Sequence, residues 1–471
     1  MKKVKVIHWF RQDLRLSDNP ALAEAAICGD VLPIYILDDV NSGDYKMGAA
    51  SRLWLHHSLM SLNESLGGKL SVYQGDPLEI ITELCSRYTI QKVFWNRCYE
   101  PWRIARDKRI KETLKSLSIE VASYNGSLLW EPWQISKGDG TPYRVFTPFY
   151  RKGCLGASFP REPIAEPEAA SFIRDDDASL TIDDLKLLPA ISWDKKMTKY
   201  WKFGEIAAHD CLMQFIESGI TDYKEGRNYP AKHFVSRLST YLHFGEISPN
   251  QVWYAIKKLS ENNNTDHFCS ELGWRELSYS LLYYNPELPK KNLQTKFDAF
   301  PWQEDDEKLM AWQKGLTGIP MVDAGMRELW ETGYMHNRVR MVVASFLVKN
   351  LLLDWRLGER WFWDCLFDAD LANNSASWQW VAGCGADAAP YFRIFNPVSQ
   401  GEKFDPDGEY IRHYIPELKN LPNRYLFSPW EAPAAILDNA GVRLGDNYPK
   451  PIVDLSLSRQ QALAAFASLK S

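Results

Sequence analysis

The strongest constraint on the fold is a change of pattern partway along the chain. Over the first 130 residues, short β-type runs alternate with helical ones. Val4 to Phe10, Val31 to Leu37, Leu70 to Tyr73, Lys92 to Trp95 and Ile119 to Tyr124 read as strands. Asp76-Pro77 supplies a capping acid and a proline at the first helical position, and the helix opening near Gly48 meets a stop at Gly67-Gly68. Alternation of this kind predicts a doubly wound parallel sheet with helices on both faces. The first strand leads into WFRQDLRLSDNP, which has no glycine, so the usual phosphate-binding turn is not expected there. From about Tyr200 strand signals nearly vanish and caps such as Ser248-Pro249 mark helices. The expected architecture is an α/β domain over 1–130, an interdomain linker over 131–199 and a large all-α domain over 200–471. The linker holds Pro132, Pro142, Pro148, Pro160, Pro163, Pro167 and Pro189 and the acidic run Asp175-Asp176-Asp177, and reads as a connector wrapped on the surface.

The bulk numbers narrow the function. A formal charge of −5, from 55 basic and 60 acidic residues, argues against polyanion binding over the whole surface. It leaves room for a local basic patch, and Met335 to Arg360, with five basic and two acidic residues, is the candidate. The eight cysteines are scattered with no C-x-x-C, so neither a zinc site nor a disulfide framework is expected, and a reducing cytoplasm fits. The basic start MKKVKVIHWF loses its apolar run at Arg11, too soon for a signal peptide or a membrane span. Nineteen tryptophans are an excess that needs a purpose.

The chemistry concentrates in Asp368 to Asp405, DADLANNSASWQWVAGCGADAAPYFRIFNPVSQGEKFD. Small residues let the backbone approach something flat, Trp378 and Trp380 offer stacking surfaces, and Asp368, Asp370, Asn373 and Asn374 offer donors and acceptors. Arg393, Gln400 and Lys403 suit phosphates and base edges. The stretch reads as a pocket wall for a heterocycle beside a nucleic-acid surface; its ordinary reading is a tryptophan-rich core segment with capping Asp and Asn. GCGADA within it matches G-x-G-x-x-A, but it follows WQWVA rather than a β-branched strand and meets Pro390, so it is not a dinucleotide fingerprint.

Three further segments join it. In TDYKEGRNYPAKHFVSRLSTYLHFGEISP, Ser236, Arg237 and Ser239 suit a phosphate or, equally, helix capping. In SELGWREL, Glu271, Trp274 and Arg275 fall on one helical face; the ordinary alternative is a surface Glu–Arg pair worth about 0.3–0.5 kcal/mol. In GYMHNRVRMVVASFLVKNLLLDWRLGER, Asn337, Arg340, Met341 and Ala344 share a face and Arg338 lies off it, with a core role for Met341 as the alternative.

Together with WFRQDLRLSDNPAL at the N-terminus, these motifs resemble the photolyase/cryptochrome family over nearly the whole chain, and more closely its class I cyclobutane pyrimidine dimer photolyases. The resemblance implies an α/β domain, a long linker and a helical domain that holds FAD. It places Tyr223, Val235, Ser236, Arg237, Leu238, Ser239, Arg340, Asp368, Asp370 and Asn374 in the FAD set, with Asn374 facing flavin N5. Val235 departs from the hydroxyl-bearing residue often seen before the Ser-Arg-Leu-Ser run. Glu271, Trp274, Asn337, Met341 and Trp380 become the pocket for a flipped-out dimer, Glu271 in its acid form bonding a thymine carbonyl. Arg275, Arg338, Arg393, Gln400 and Lys403 hold the DNA backbone, and Trp378, Trp355 and Trp302 form a photoreduction row from flavin to surface.

The implied activity is light-driven repair of cyclobutane dimers in UV-damaged DNA by electron transfer from reduced FAD, carried out by a cytoplasmic, non-membrane monomer without a metal. Relatives also carry an antenna pigment. Folate-binding ones place Asn-Glu where this chain has Trp102-Arg103, so methenyltetrahydrofolate is the first reading, a deazaflavin the second and an empty site the third. The alternative function is a cryptochrome-type blue-light photoreceptor, which needs no lesion pocket. A light-independent flavin oxidoreductase is disfavoured because no substrate acid or base is evident beside N5.

Overall fold

β1 (Lys5–Phe10) and β2 (Asp30–Leu37) are buried on nearly every residue, so both faces of the sheet are covered. The near-continuous apolar runs VIHWF and VLPIYIL are the sequence form of that burial. The computed structural model describes residues 4–168, 170–388 and 393–469. With β3 (Ser71–Gln74), β4 (Lys92–Asn96) and β5 (Glu120–Tyr124) the sheet runs parallel in the order β3-β2-β1-β4-β5. Helices α1 (Pro20–Cys28), α2 (Ala49–Ser65), α3 (Pro77–Tyr88) and α4 (Pro101–Ser116) connect successive strands. The expected strands are therefore present to within a residue or two. Asp76 caps α3 by accepting from the Leu78 amide at 3.0 Å, and Ser248 caps its helix by accepting from Gln251 at 2.9 Å.

β6 (Ser171–Phe172), in the connector, is the strand that sequence patterns missed. It pairs in parallel with Asp30 and Val31, while β3 pairs with Ile34 to Leu37 on the same strand. Pro33, which has no amide hydrogen, sits where that edge of β2 passes from β6 to β3, and this reconciles a proline with a central strand.

The connector is also less superficial than its composition implies. Asp175 is fully buried and accepts from the hydroxyls of Tyr73 and Tyr88, each at 2.8 Å, and from Arg87 at 3.1 Å. An acid in an acidic run reads as solvated; here partners about a hundred residues earlier in the chain take it inside.

Strand order reverses between β1 and β4, where doubly wound folds place ligands. In this chain the place is filled. Arg11 meets Asp107 at 2.5 Å and the Asn96 carbonyl, and Asn96 donates to Asp13 at 2.6 Å. The glycine-free turn after β1 thus carries a buried ion network in place of a phosphate loop.

Beyond residue 200 every named element among the described residues is a helix or helical turn. Grouped by contacts, the chain forms two compact units, 1–217 with 236–286 and 218–235 with 287–471. This is a different division from the one drawn on secondary-structure pattern. The second unit is built on an apolar core that includes Trp312, Met335, Phe346, Trp355 and Trp378. All eight cysteines are free. Among the described residues no helix is long and apolar enough to cross a membrane.

Candidate functional site

The second unit folds two parts of the Asp368–Asp405 stretch as helices, Leu371–Ala382 and Pro397–Phe404, and the first carries Asn374, Trp378 and Trp380. Asp370 starts it: its carboxylate accepts from the Asn373 amide at 2.8 Å and from the Asn373 side chain at 2.7 Å. The capping role weighed from sequence is therefore real for Asp370. Gly383, at φ 93°, ends the helix in the left-handed conformation, so the glycine of GCGADA serves as a stop. Residues 389–392 of the stretch lie outside the described residues.

Arg340 and Asp368 form an ion pair of 2.8 Å, with side chains 23% and 5% exposed. Arg340 Nε also donates to the Met335 carbonyl at 2.7 Å. Burial works against the Arg340 charge, and Asp368 more than offsets it, so the guanidinium lies above its ordinary range. The other Asp368 oxygen, Oδ1, is buried with no hydrogen-bond partner among the described residues. A buried acceptor left open beside an ion pair is what a ligand donor would satisfy.

Asn374, buried on the same helix, donates its Nδ2 to the Glu359 carbonyl at 3.0 Å. That bond makes the nitrogen the inward end of the amide and leaves the oxygen as the acceptor on offer. Glu359 was not singled out from the sequence. Burial pushes its carboxyl up to about 7, and Ser375 donates to it at 3.4 Å. Only its place behind Asn374 marks it.

In the first unit, Ser236 to Ser239 leads into the short helix Ser239–Phe244. Arg237 takes the left-handed conformation, φ 54°, and its guanidinium lies 4.5 Å from the Trp201 ring. A non-glycine residue there stores about 1–3 kcal/mol, and such strain clusters at ligand clamps. Tyr223 is buried and Val235 half-buried, both in the second unit. Within the second unit, the orphaned Asp368 oxygen and the acceptor end of Asn374 suit a polar ligand with donors of its own.

The remaining residues behave unevenly. Glu271 lies 3.7 Å from His267, and Arg275 pairs with Glu276 at 3.1 Å, so the 271–275 face is not a simple Glu–Arg pair. Trp274 stacks on Phe146, a contact no local pattern foretold. Trp380 is half-buried and donates to the Asp387 carbonyl at 3.1 Å. Asn337 is exposed and Met341 half-buried. Arg338, read from sequence as lying off the face shared by Asn337, Arg340, Met341 and Ala344, reaches the Met341 sulfur at 3.8 Å, as an i,i+3 pair can, and lies 4.5 Å from the Phe404 ring. His336 caps the same helix, Nδ1 accepting from the Arg338 amide at 3.2 Å.

The basic patch over 335–360 does not form as a surface. Lys349 is 2% exposed and its amine is lowered to about 7 by burial, Arg340 pairs with Asp368, and Arg356 pairs with Asp354 at 3.0 Å. Arg393 and Lys403 are exposed, and Gln400 is half-buried.

Trp378 is 2% exposed, with Phe362 at 5.0 Å and Trp312 at 6.2 Å. Trp355 is fully buried and donates to Asn292 at 2.9 Å, while Trp302 is half-buried. Trp378 and Trp355 are thus both core residues, and Trp302 is the partly exposed one of the three. Trp312, fully buried and donating to the Val343 carbonyl at 3.0 Å, is an indole beside Trp378 that sequence spacing did not reveal.

Comparison with known proteins agrees with this chemistry. Residues 6–168 match the family described as DNA photolyase, and residues 268–468 match the FAD binding domain of DNA photolyase. The deoxyribodipyrimidine photo-lyase of Agrobacterium fabrum is 48% identical over 100% of this chain and 99% of its own length. Cryptochrome-2 of Arabidopsis thaliana is 39% identical over 97% of this chain and 78% of its own length. A crystal structure titled a bacterial class III photolyase from Agrobacterium tumefaciens superposes with a TM-score of 0.96 at 47% identity, covering 100% of this chain and 98% of that one. That neighbour is called class III, where the motifs alone suggested class I. The chain belongs to the photolyase/cryptochrome family, with the parallel α/β sheet and the helical FAD-binding domain that go with it.

Proposed function

We propose that this protein repairs cyclobutane pyrimidine dimers in UV-damaged DNA under light, as a deoxyribodipyrimidine photolyase of the class III type. The observation that carries the reading is the pairing of Arg340 with a buried Asp368 whose second oxygen is open to a ligand donor. Support comes from a photo-lyase relative at 48% identity over the whole chain, against 39% for the cryptochrome.

The FAD set is Tyr223, Val235, Ser236, Arg237, Leu238, Ser239, Arg340, Asp368, Asp370 and Asn374. These residues would hold FAD, which when bound and fully reduced would supply a photoexcited one-electron donor for a net redox-neutral ring opening. The protein does the rest. Ser236 and Ser239 would hold the diphosphate, and Asn374, its nitrogen engaged by the Glu359 carbonyl, would offer its amide oxygen to the flavin without adding a negative charge. Trp274 and Trp380 receive the flipped dimer as flat walls, beside Asn337 and Met341. Glu271 bonds a thymine carbonyl and stabilises the charge that develops there. Arg275, Arg338, Arg393, Gln400 and Lys403 hold the backbone around the lesion. Residues 200–471 act as the flavin and lesion domain, 131–199 as the connector. The protein works as a cytoplasmic monomer. An antenna on residues 1–130 is part of the reading, methenyltetrahydrofolate before a deazaflavin. Trp102 and Arg103, where folate-binding relatives place Asn-Glu, are stacked at 4.7 Å, so a folate would be held by other groups.

The lesion specificity follows from the pocket helix. Relatives acting on (6-4) photoproducts resemble this chain but carry two histidines where it has Asn337 and Met341, and neither of these is a proton donor near neutral pH. His336 is engaged as the helix cap. Illumination of oligonucleotides carrying each lesion should therefore restore the cyclobutane substrate and leave the (6-4) substrate unchanged. Restoration of the (6-4) lesion, or no action on the cyclobutane one with reduced flavin, would move the protein to another branch. Glu271→Ala should weaken dimer binding and repair by about 1–3 kcal/mol, the loss expected for a buried hydrogen-bond partner. Unchanged dimer affinity would remove Glu271 from the pocket.

A further inference from the structure

The stretch 146–154, part of the expected connector, folds as a helical turn, Phe146–Pro148, that runs on into Phe149–Cys154. It packs along helix Asn263–Tyr284 within the first unit. Tyr150 is buried beside Gly273, where an added Cβ would come within 2.4 Å of the Tyr150 ring. That glycine, next to Trp274, is what lets the turn lie so close. Phe146 then stacks on Trp274 with centroids 3.9 Å apart and planes 6° from parallel. Tyr150 continues behind Phe146 at 5.6 Å and 7°. Arg151 and Asp266 add an exposed ion pair of 2.6 Å, of little energetic weight.

Three parallel rings form a staircase that begins in the core at Tyr150 and ends at a half-buried indole. Core aromatics usually meet edge-on or offset and are buried on both faces. Here the outer two rings, Phe146 and Trp274, are both only half-buried. Phe146 covers one face of the indole, so any further flat group that stacks on it has to use the other. A tryptophan on a helix has two torsions to fix when it binds a ligand, and holding them in advance removes that entropy from the binding step.

We propose that Phe146 is a positioning residue for lesion recognition. It locks the Trp274 indole in one plane with one face covered, so that a flipped pyrimidine, Trp274, Phe146 and Tyr150 make one continuous stack. The inference rests on reading Trp274 as a wall of the lesion pocket.

The test uses the flavin-loaded protein and measures affinity for an oligonucleotide with a single cyclobutane dimer and for its undamaged counterpart. Phe146→Leu should lower lesion affinity about five- to tenfold, the range for losing one aromatic stack. Affinity for undamaged DNA, set by phosphate contacts, should not change. FAD content and repair per photon absorbed by the bound complex should stay at the parent level. Phe146→Tyr should restore lesion affinity, and Phe146→Leu should add nothing once Trp274→Ala is present. If Trp274→Ala weakens lesion binding while Phe146→Leu does not, the inference alone fails. It also fails if the two losses add independently, or if Phe146→Leu loses flavin or undamaged-DNA affinity, which would mark Phe146 as ordinary packing. If Trp274→Ala itself binds the lesion as the parent does, the pocket reading fails and the inference with it.

Discussion

Asp368→Ala should purify largely without flavin. In the parent protein Asp368 neutralises Arg340 across 2.8 Å and keeps a second buried oxygen for a ligand donor. The substitution removes both at once and leaves a guanidinium in a site built for a pair. Removing one partner of a buried pair costs about 3–5 kcal/mol. Arg340 retains 23% exposure, so solvent relieves part of that loss, and the lower end, about 3 kcal/mol or roughly a hundredfold in affinity, is expected. Asp368→Asn keeps the shape and one acceptor but not the charge, and should fall between. The measurement is the flavin-to-protein absorbance ratio after purification, with helical circular dichroism to show that the chain still folds. A fully yellow, folded Asp368→Ala protein would take Asp368 out of the cofactor set.

Trp378→Phe should abolish photoreduction of the oxidised cofactor while leaving repair intact once the flavin is reduced chemically. Indole is the most easily oxidised aromatic side chain, and phenylalanine does not yield an electron under the same conditions. In the photoreduction reading Trp378 and Trp355 are the buried members of the row and Trp302 the half-buried one, so electrons would enter from the Trp302 end and leave at Trp378. Repair sends an electron the other way, to the dimer, and does not use the row. The two halves of the prediction therefore separate a photoreduction role from a general loss of function. Flavin content in the variant is the control for packing, because Phe362 at 5.0 Å and Trp312 at 6.2 Å both contact the indole. Photoreduction at the parent rate would make the three tryptophans ordinary core.

The α/β half was legible because its signals are local. Period, caps and glycine stops depend on residues a few positions apart, and β1 to β5 appear within a residue or two of expectation. The failure of the nucleotide fingerprint was legible for the same reason: Gly383 is a helix stop, and the turn after β1 lacks glycine. Motif resemblance supplied the candidate site residues, since long matching segments carry identity that propensity cannot. Family and FAD-binding domain follow at that level, although the motifs pointed to class I and the superposed neighbour is called class III.

Charge was read less well, because charge alone does not say where a side chain goes. The 335–360 run counts as basic in sequence, yet Lys349 is buried and Arg340 and Arg356 are paired. Asp175 sits in an acidic run, yet two tyrosine hydroxyls far away in the chain take it inside. By itself the sequence determined the strand and helix periods, the caps and stops, and the residue types available for a flavin and a flipped base. Tertiary structure decided which of these groups are paired, which are left open and which rings stack. The Arg340–Asp368 pair, the amide orientation of Asn374 and the Phe146–Trp274 stack each depend on groups from separated segments meeting in space, which residue types alone do not specify.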